Sequence, residues 1–252
     1  WPWDRYQHAA LLTKLKQADA VAFDIIFSEP QSERFFQNDI HSSGLSSDRL
    51  FANEIERRGN VVLPVYVEQH FSGYAREMLP IPILSESASA MGHVNVDFDS
   101  DGIVRSVIGA VGLGAPFWPH LSVAVLRVQG LEPGMDESVP AAESLSPHSL
   151  NKAGVQYIRF VGPANSIFSF SYADVLAGMV PEKAFANKTV FVGATAKGLG
   201  DYISTPLGIL AGVEYQANVY HALKTQGVIN FVDVSHYKLL IAALTLVICV
   251  VL

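Results

Sequence analysis

Three carboxylates on alternate positions, Asp97, Asp99 and Asp101, followed by Gly102, open in the way a calcium loop opens. Such acids can converge on one hard cation, and the glycine permits the sharp turn. The pattern then breaks: Ile108 stands at the twelfth position, where a bidentate Glu closes the cage, and Arg105 brings a positive charge. The residues favour a hairpin turn with solvated acids over a metal site.

A second candidate is the run Gly193-Ala194-Thr195-Ala196-Lys197-Gly198-Leu199-Gly200-Asp201, which follows an apolar strand pattern. Phosphate-cradling loops occupy such places, but Leu199 stands where the P-loop lysine belongs, and the dinucleotide glycine spacing is absent. Successive amides in such a loop can still make an anion-binding concavity. The alternative is that these glycines serve tight turns only.

A third set lies around strand ends. Asp24 interrupts an apolar run and Glu29 follows it; Asp201 and Thr205 lie beyond the run that ends near Gly193; Glu214 and Asn218 share a helix face at i,i+4. In an open α/β sheet, ligands bind beyond the carboxyl ends of parallel strands. These groups converge there if the two strands are neighbours. Otherwise Asp24 caps a helix or binds loop amides, as buried carboxylates often do. No G-x-S-x-G elbow or H-E-x-x-H helix is present, and the 8 histidines have no ligand spacing. His41-Ser42-Ser43-Gly44 carries nothing to activate its hydroxyls.

The elements that must hold these residues follow from periodicity. Leu11, Leu12 and Leu15 mark a helix that leads into the strand AVAFDIIF, which Glu29-Pro30 stops. A second helix is expected over 47–58, with Ser46 or Ser47 as cap and Gly59 as stop, before the strand NVVLPVYVE. This alternation predicts a parallel sheet covered by helices. GHVNVDFD and IVRSVIGAVG, parted by Ser100-Asp101-Gly102, read as an antiparallel hairpin. Residues 119–129 read as a helix, 130–150 as a loop, and VQYIRFVG as a strand. SYADVLAG is a short helix in which Ser171 and Asp174 have capping-box spacing, and KTVFVGAT is the last clear strand. An amphipathic helix follows over 213–225. One mixed α/β domain over 1–235, with a mainly parallel sheet flanked by helices and an antiparallel hairpin, is the expected fold.

Composition narrows the function. The chain has 252 residues, 50% hydrophobic and 16% charged, with 24 acids against 17 bases. It is neither a disordered tail nor, with a net charge of -7 and no basic cluster, a partner for nucleic acid. The single cysteine, Cys249, excludes a disulfide framework and a cysteine-based zinc site. After Lys238 come 14 residues without charge, LLIAALTLVICVVL. With Phe231, Tyr237 and Lys238 as an interfacial approach, residues 236–252 are expected to begin a transmembrane helix within a longer protein. Its lipid-facing residues would be Leu239, Leu240, Ile241, Leu244, Leu246, Val247, Ile248, Val250, Val251 and Leu252.

WPWDRY, AVAFDIIFSEP, GHVNVDFDSDGIVRSV, SYADVLAG and VFVGATAKGLGDYISTPLG, followed by GVEYQANVYHALKTQGVI, resemble in order the class-two CHASE domain. That family is the extracytoplasmic sensory module of bacterial transmembrane receptors, and the resemblance runs from Trp1 to Ile229. It implies membrane helices on both sides and a cytoplasmic nucleotide cyclase, diguanylate cyclase or kinase as output. A place in the bacterial inner membrane, facing the periplasm or cell exterior, goes with it. The family supplies no agreed ligand and no catalytic residues. Matching positions are Asp24, Glu29, Asp101, Gly102, Arg105, Asp174, Gly193, Gly200, Asp201, Thr205, Pro206, Glu214 and Asn218.

The candidate ligand-binding residues are therefore Asp24, Glu29, Arg105, Asp201, Thr205, Glu214 and Asn218, with no cofactor expected. Expected partners are membrane lipid, a second copy of the chain, and an unidentified small-molecule, ion or protein signal. Two other functions fit the same residues: a dimerisation scaffold that senses nothing, and a hydrolase using Asp24 and Asp201.

Overall fold

The computed structural model describes residues 3–31, 46–69, 74–115, 117–135, 150–196, 198, 202–229 and 234–251. In chain order the elements are α1 (Arg5–Lys14), β1 (Ala20–Asp24), α2 (Ser47–Arg58), β2 (Val61–Gln69), β3 (Ala75–Met78), α3 (Pro82–Ser87) and β4 (Ala90–His93). There follow β5 (Ser106–Leu113), β6 (Trp118–Pro119), α4 (Leu121–Val128), β7 (Leu150–Ile158) and α5 (Tyr172–Leu176). The last are β8 (Thr189–Gly193), β9 (Tyr202–Thr205), β10 (Gly208–Ala211), α6 (Gly212–Lys224), β11 (Val228–Ile229) and α7 (Val234–Val251). A 3-10 turn over Glu182–Phe185 precedes β8.

β1 is the middle of the main sheet, with parallel neighbours on both sides: Val21 pairs with Val61 of β2, and Asp24 with Gly193 of β8. β4 adds a further parallel strand beside β2, and β3 pairs antiparallel with the far end of β2. Alternation along the strands divides the core. Val21, Phe23, Val61 and Leu63 pack with α1, α2 and α3 residues, including Leu12, Phe51, Ile55 and Leu84. Ala20, Ala22 and Val62 face the opposite way, toward Leu121, Val125, Val219 and Leu223 of α4 and α6. Both faces are covered, so the strands are apolar throughout.

A second, antiparallel sheet of order β11-β7-β5-β6 lies against α4 and α6, its Val107 and Ile158 joining the same cluster. An isolated parallel bridge, His93 to His120, links the two sheets. Gly92 makes that approach possible: a Cβ there would lie 2.7 Å from the Leu121 Cα and 3.0 Å from the His120 carbonyl oxygen.

Local signals explain α2 well. The Ser46 hydroxyl accepts from the Arg49 amide, and Gly59 ends the helix in the left-handed region at φ 64°. The mainly parallel α/β sheet is present, and so is an antiparallel hairpin, β9–β10.

Several details differ from the expected pattern. Residues 99–103 form only the turn, with the Gly102 amide donating to the Asp99 carbonyl, because the flanking strands β4 and β5 belong to different sheets. Ser171 makes no side-chain cap, so the capping box of α5 is not formed. β8 is not the last strand, since β9, β10 and β11 follow as segments of four, four and two residues.

α7 has 18 residues, and its described side chains Leu240, Ile241, Leu244, Val247 and Ile248 are 55 to 60% exposed. Among the described residues, no helix is long and apolar enough to cross a membrane. The membrane span expected to begin over 236–252 is thus not shown by the structure, which has one continuous helix there. The loop at His41–Gly44 and most of the 130–150 loop lie outside the described residues.

Candidate functional site

The parallel pairing of β1 and β8 puts Asp24 and Gly193, the last residues of the two strands, side by side. α6 begins against them. A Cβ on Gly193 would fall 2.6 Å from Val213 Cβ and 3.2 Å from Asp24 Cβ, so the missing side chain lets the first turn of α6 seat on the strand ends. Asp24, Gly193 and the start of α6 thus meet at the carboxyl edge of the sheet.

Hydrogen bonds from α6 and β9 tie neighbouring segments to this edge. The chain leaving β7 runs back along α6. Arg159 donates its amide to the Gly227 carbonyl, Val161 to Asn218 Oδ1 at 2.9 Å, and Asn165 to Glu214 Oε1 at 2.7 Å. Asn218, buried, also donates from Nδ2 to the Glu214 carbonyl. On the other side, the Tyr202 hydroxyl donates to the Thr195 carbonyl and pins the start of the glycine-rich loop to the β9–β10 hairpin.

Of the candidate residues, the structure brings Asp24 and the α6 turn carrying Glu214 to one edge, and hangs the 159–166 segment on Glu214 and Asn218. Thr205 serves its own hairpin: its hydroxyl donates to the Gly208 carbonyl at 2.7 Å and accepts from the Leu207 amide. Glu29 is engaged through its backbone carbonyl, which accepts from Arg5 at the start of α1. Asp201, with Lys197, Leu199 and Gly200, lies outside the described residues.

Arg105 and the three aspartates form a surface ion cluster. Arg105 binds Asp101 through both terminal nitrogens, at 2.9 and 2.7 Å, and Asp99 at 2.6 Å. Asp97 pairs with Lys152 of β7. The hydrogen bond from Arg105, helped by the Ile103 amide, pulls Asp101 down to about 2. The carboxylates thus face cationic side chains, and among the described residues no group of three His, Cys, Asp or Glu is placed to hold a metal.

Asn218 separates structural from surface roles. Asn218→Ala removes two hydrogen bonds and leaves the Val161 amide without its acceptor. Unfolding in urea should then show a loss of about 2 kcal/mol. Glu214→Ala, which frees only a solvent-exposed amide, should cost less than about 1 kcal/mol.

The sequence reading missed two polar clusters. One is Arg5, Asp48 and Gln31, where the Gln31 amide donates to Asp48 Oδ2 and the Arg5–Asp48 pair stands at 3.4 Å, tying the end of the β1 loop to α1 and α2. The other holds His93, His120, Tyr215 and Gln216, all fully or almost fully buried. A histidine directly before the apolar run LSVAVL was the available signal, because it stands at a helix cap position.

Comparison with known families matches the CHASE2 domain over residues 1–252. No curated protein matches the chain, and no solved structure does. A match covering the whole chain establishes that this α/β domain belongs to the CHASE2 family of extracytoplasmic sensory domains.

Proposed function

We propose that the domain is the input module of a bacterial transmembrane receptor, facing the periplasm or cell exterior. The edge formed by Asp24 and the start of α6 takes a small polar ligand or ion, and α7 carries the resulting change to lipid and onward to a cytoplasmic output. A nucleotide cyclase, a diguanylate cyclase or a kinase is the proposed output, working as a homodimer. The observation that carries the reading is α7, whose described apolar side chains are more than half exposed instead of packed on the domain. Water does not favour such a contiguous apolar face, whereas a bilayer does. A ligand biases such a device only through different affinity for two arrangements, and about 5.5 kcal/mol converts a 1:99 population to 99:1.

Flotation of the whole chain with phosphatidylcholine–phosphatidylglycerol vesicles tests the membrane step. The protein should rise with the vesicles, and the triple variant Leu240→Ser, Ile241→Ser, Leu244→Ser should stay in the dense aqueous fraction. A wild-type chain that stays there as well overturns the reading. Melting the protein with calcium, inorganic phosphate and free amino acids tests the ligand step, since specific binding raises Tm. A rise abolished by Asp24→Asn supports ligand sensing, and no rise with any of these probes favours a scaffold.

A further inference from the structure

We propose that His93 and His120 form an acid-released catch between the two sheets, whose protonation parts β4 from β6 while the main sheet stays folded. The pair sits at the isolated bridge that joins the sheets, rings perpendicular and 5.1 Å apart. Each imidazole does a backbone's work. His93 Nδ1 accepts from the Asn95 amide, and its Nε2 donates across the seam to the Ile108 carbonyl of β5, at 3.2 Å each. His120 Nδ1 accepts from the Ser122 amide at 3.1 Å and so caps α4, where a Ser, Thr or Asp commonly stands.

These bonds require both rings to be neutral. A proton on His120 Nδ1 occupies the lone pair that caps the helix and places a cation at the positive end of α4. The proton finds no counter-charge. Among the described residues, the one charge that acts on His93 is that of His120, and burial alone acts on His120, lowering it to about 3. From α6 the facing titratable group is Tyr215, whose phenol donates to the Ser106 carbonyl; Asp97, which acts on Tyr215, is paired with Lys152 of β7. β2 meets β4 through Val65, and β5 meets His93 through the Ile108 carbonyl. His120 Nε2, fully buried, has no hydrogen-bond partner, so opening relieves that cost too.

Asn95 clamps the Val67 backbone within the main sheet. Across the seam, the Leu113 amide donates to Glu77 Oε1 at 3.3 Å, and Val67 packs with Ile108 and Val111 in a small cluster. The main sheet, by contrast, is held on its α1–α2 face by a large cluster that no residue of the second sheet enters. The seam is therefore the part that yields first when the pair takes up protons.

Hydrogen exchange by NMR on the whole chain, from pH 7 to 4.5 and referred to intrinsic rates at each pH, tests this. The Asn95 and Ser122 amides report the seam, and the Val21 amide of β1 reports the main sheet. Each proton taken up on opening multiplies the open population by about ten per pH unit below the free histidine value. Seam protection should thus fall by about a hundredfold per unit below pH 6, with Val21 remaining at least about tenfold better protected. Seam and Val21 amides losing protection together overturn the proposal. His120→Asn keeps a side-chain cap without a titrating ring, and it should reduce the seam's dependence to about tenfold per unit. An unchanged slope in that variant overturns it as well. Should the variant fail to fold, the wild-type comparison decides alone.

Discussion

Lowering the pH from 7 to 5 removes about 4 kcal/mol from the folding free energy through His8 and His120 alone. Burial holds His8, with help from the nearby Arg5 charge, at about 4, and burial holds His120 at about 3. In the unfolded chain both titrate near 6.5. Between those values the unfolded state binds protons that the folded state refuses, so stability is complete above about pH 7 and falls as pH drops. At pH 5 each ring contributes a loss of about 2 kcal/mol, and His93, also lowered by burial, adds in the same direction. A domain of ordinary stability, about 5–15 kcal/mol, loses a large part of it. Urea unfolding at both pH values measures the loss, and a midpoint that does not move contradicts the buried, neutral histidines.

Phe51→Ala has the next largest expected effect, about 3–5 kcal/mol of stability. Phe51 is completely buried on α2 and makes edge contacts with Phe23 at 5.4 Å and Phe27 at 5.3 Å. Its ring also lies 5.5 Å from that of His8, which is hydrogen-bonded to the Tyr172 hydroxyl. The truncation therefore does two things. It leaves a cavity on the α1–α2 face of the main sheet, and it opens the cage that keeps His8 dry. The pH dependence of Phe51→Ala should be shallower than that of the native chain, since a hydrated His8 takes its proton while folded. Chemical denaturation at pH 7 reads the first effect, and the same series at pH 5 reads the second. A loss below about 1 kcal/mol at pH 7 means that the core collapses around the gap.

Legibility in the sequence followed the strength of local signals. α2 was readable because Ser46, Gly59 and the apolar spacing of Phe51 and Ile55 all agree on one helix. β1, β2 and β8 were readable as apolar runs because helices cover both of their faces. The parallel neighbours β1 and β8 then met the condition set for a strand-end site, and Asp24 does stand beside Gly193. Thr205 was misplaced for a physical reason: a hydroxyl next to Pro206 in a tight turn binds its own hairpin first. The apolar pattern on either side of Gly102 was correct, but partner choice is a long-range matter. β5 pairs with β7, and no local feature distinguishes that from a hairpin with β4. The histidine seam was invisible for the same reason, since His93 and His120 meet only after both sheets are built.

The strand order has a consequence for biogenesis. β1 lies between β2 and β8, and Ala22, paired early with Val62, finds its second partner only at Phe191. A chain emerging from a translocation channel therefore holds its most apolar early strand half-paired until most of the domain has come out. Such distant pairing folds slowly and leaves aggregation-prone edges open meanwhile. Export of this domain is thus expected to rely on holding factors outside the membrane, acting before Thr189 to Gly193 arrive.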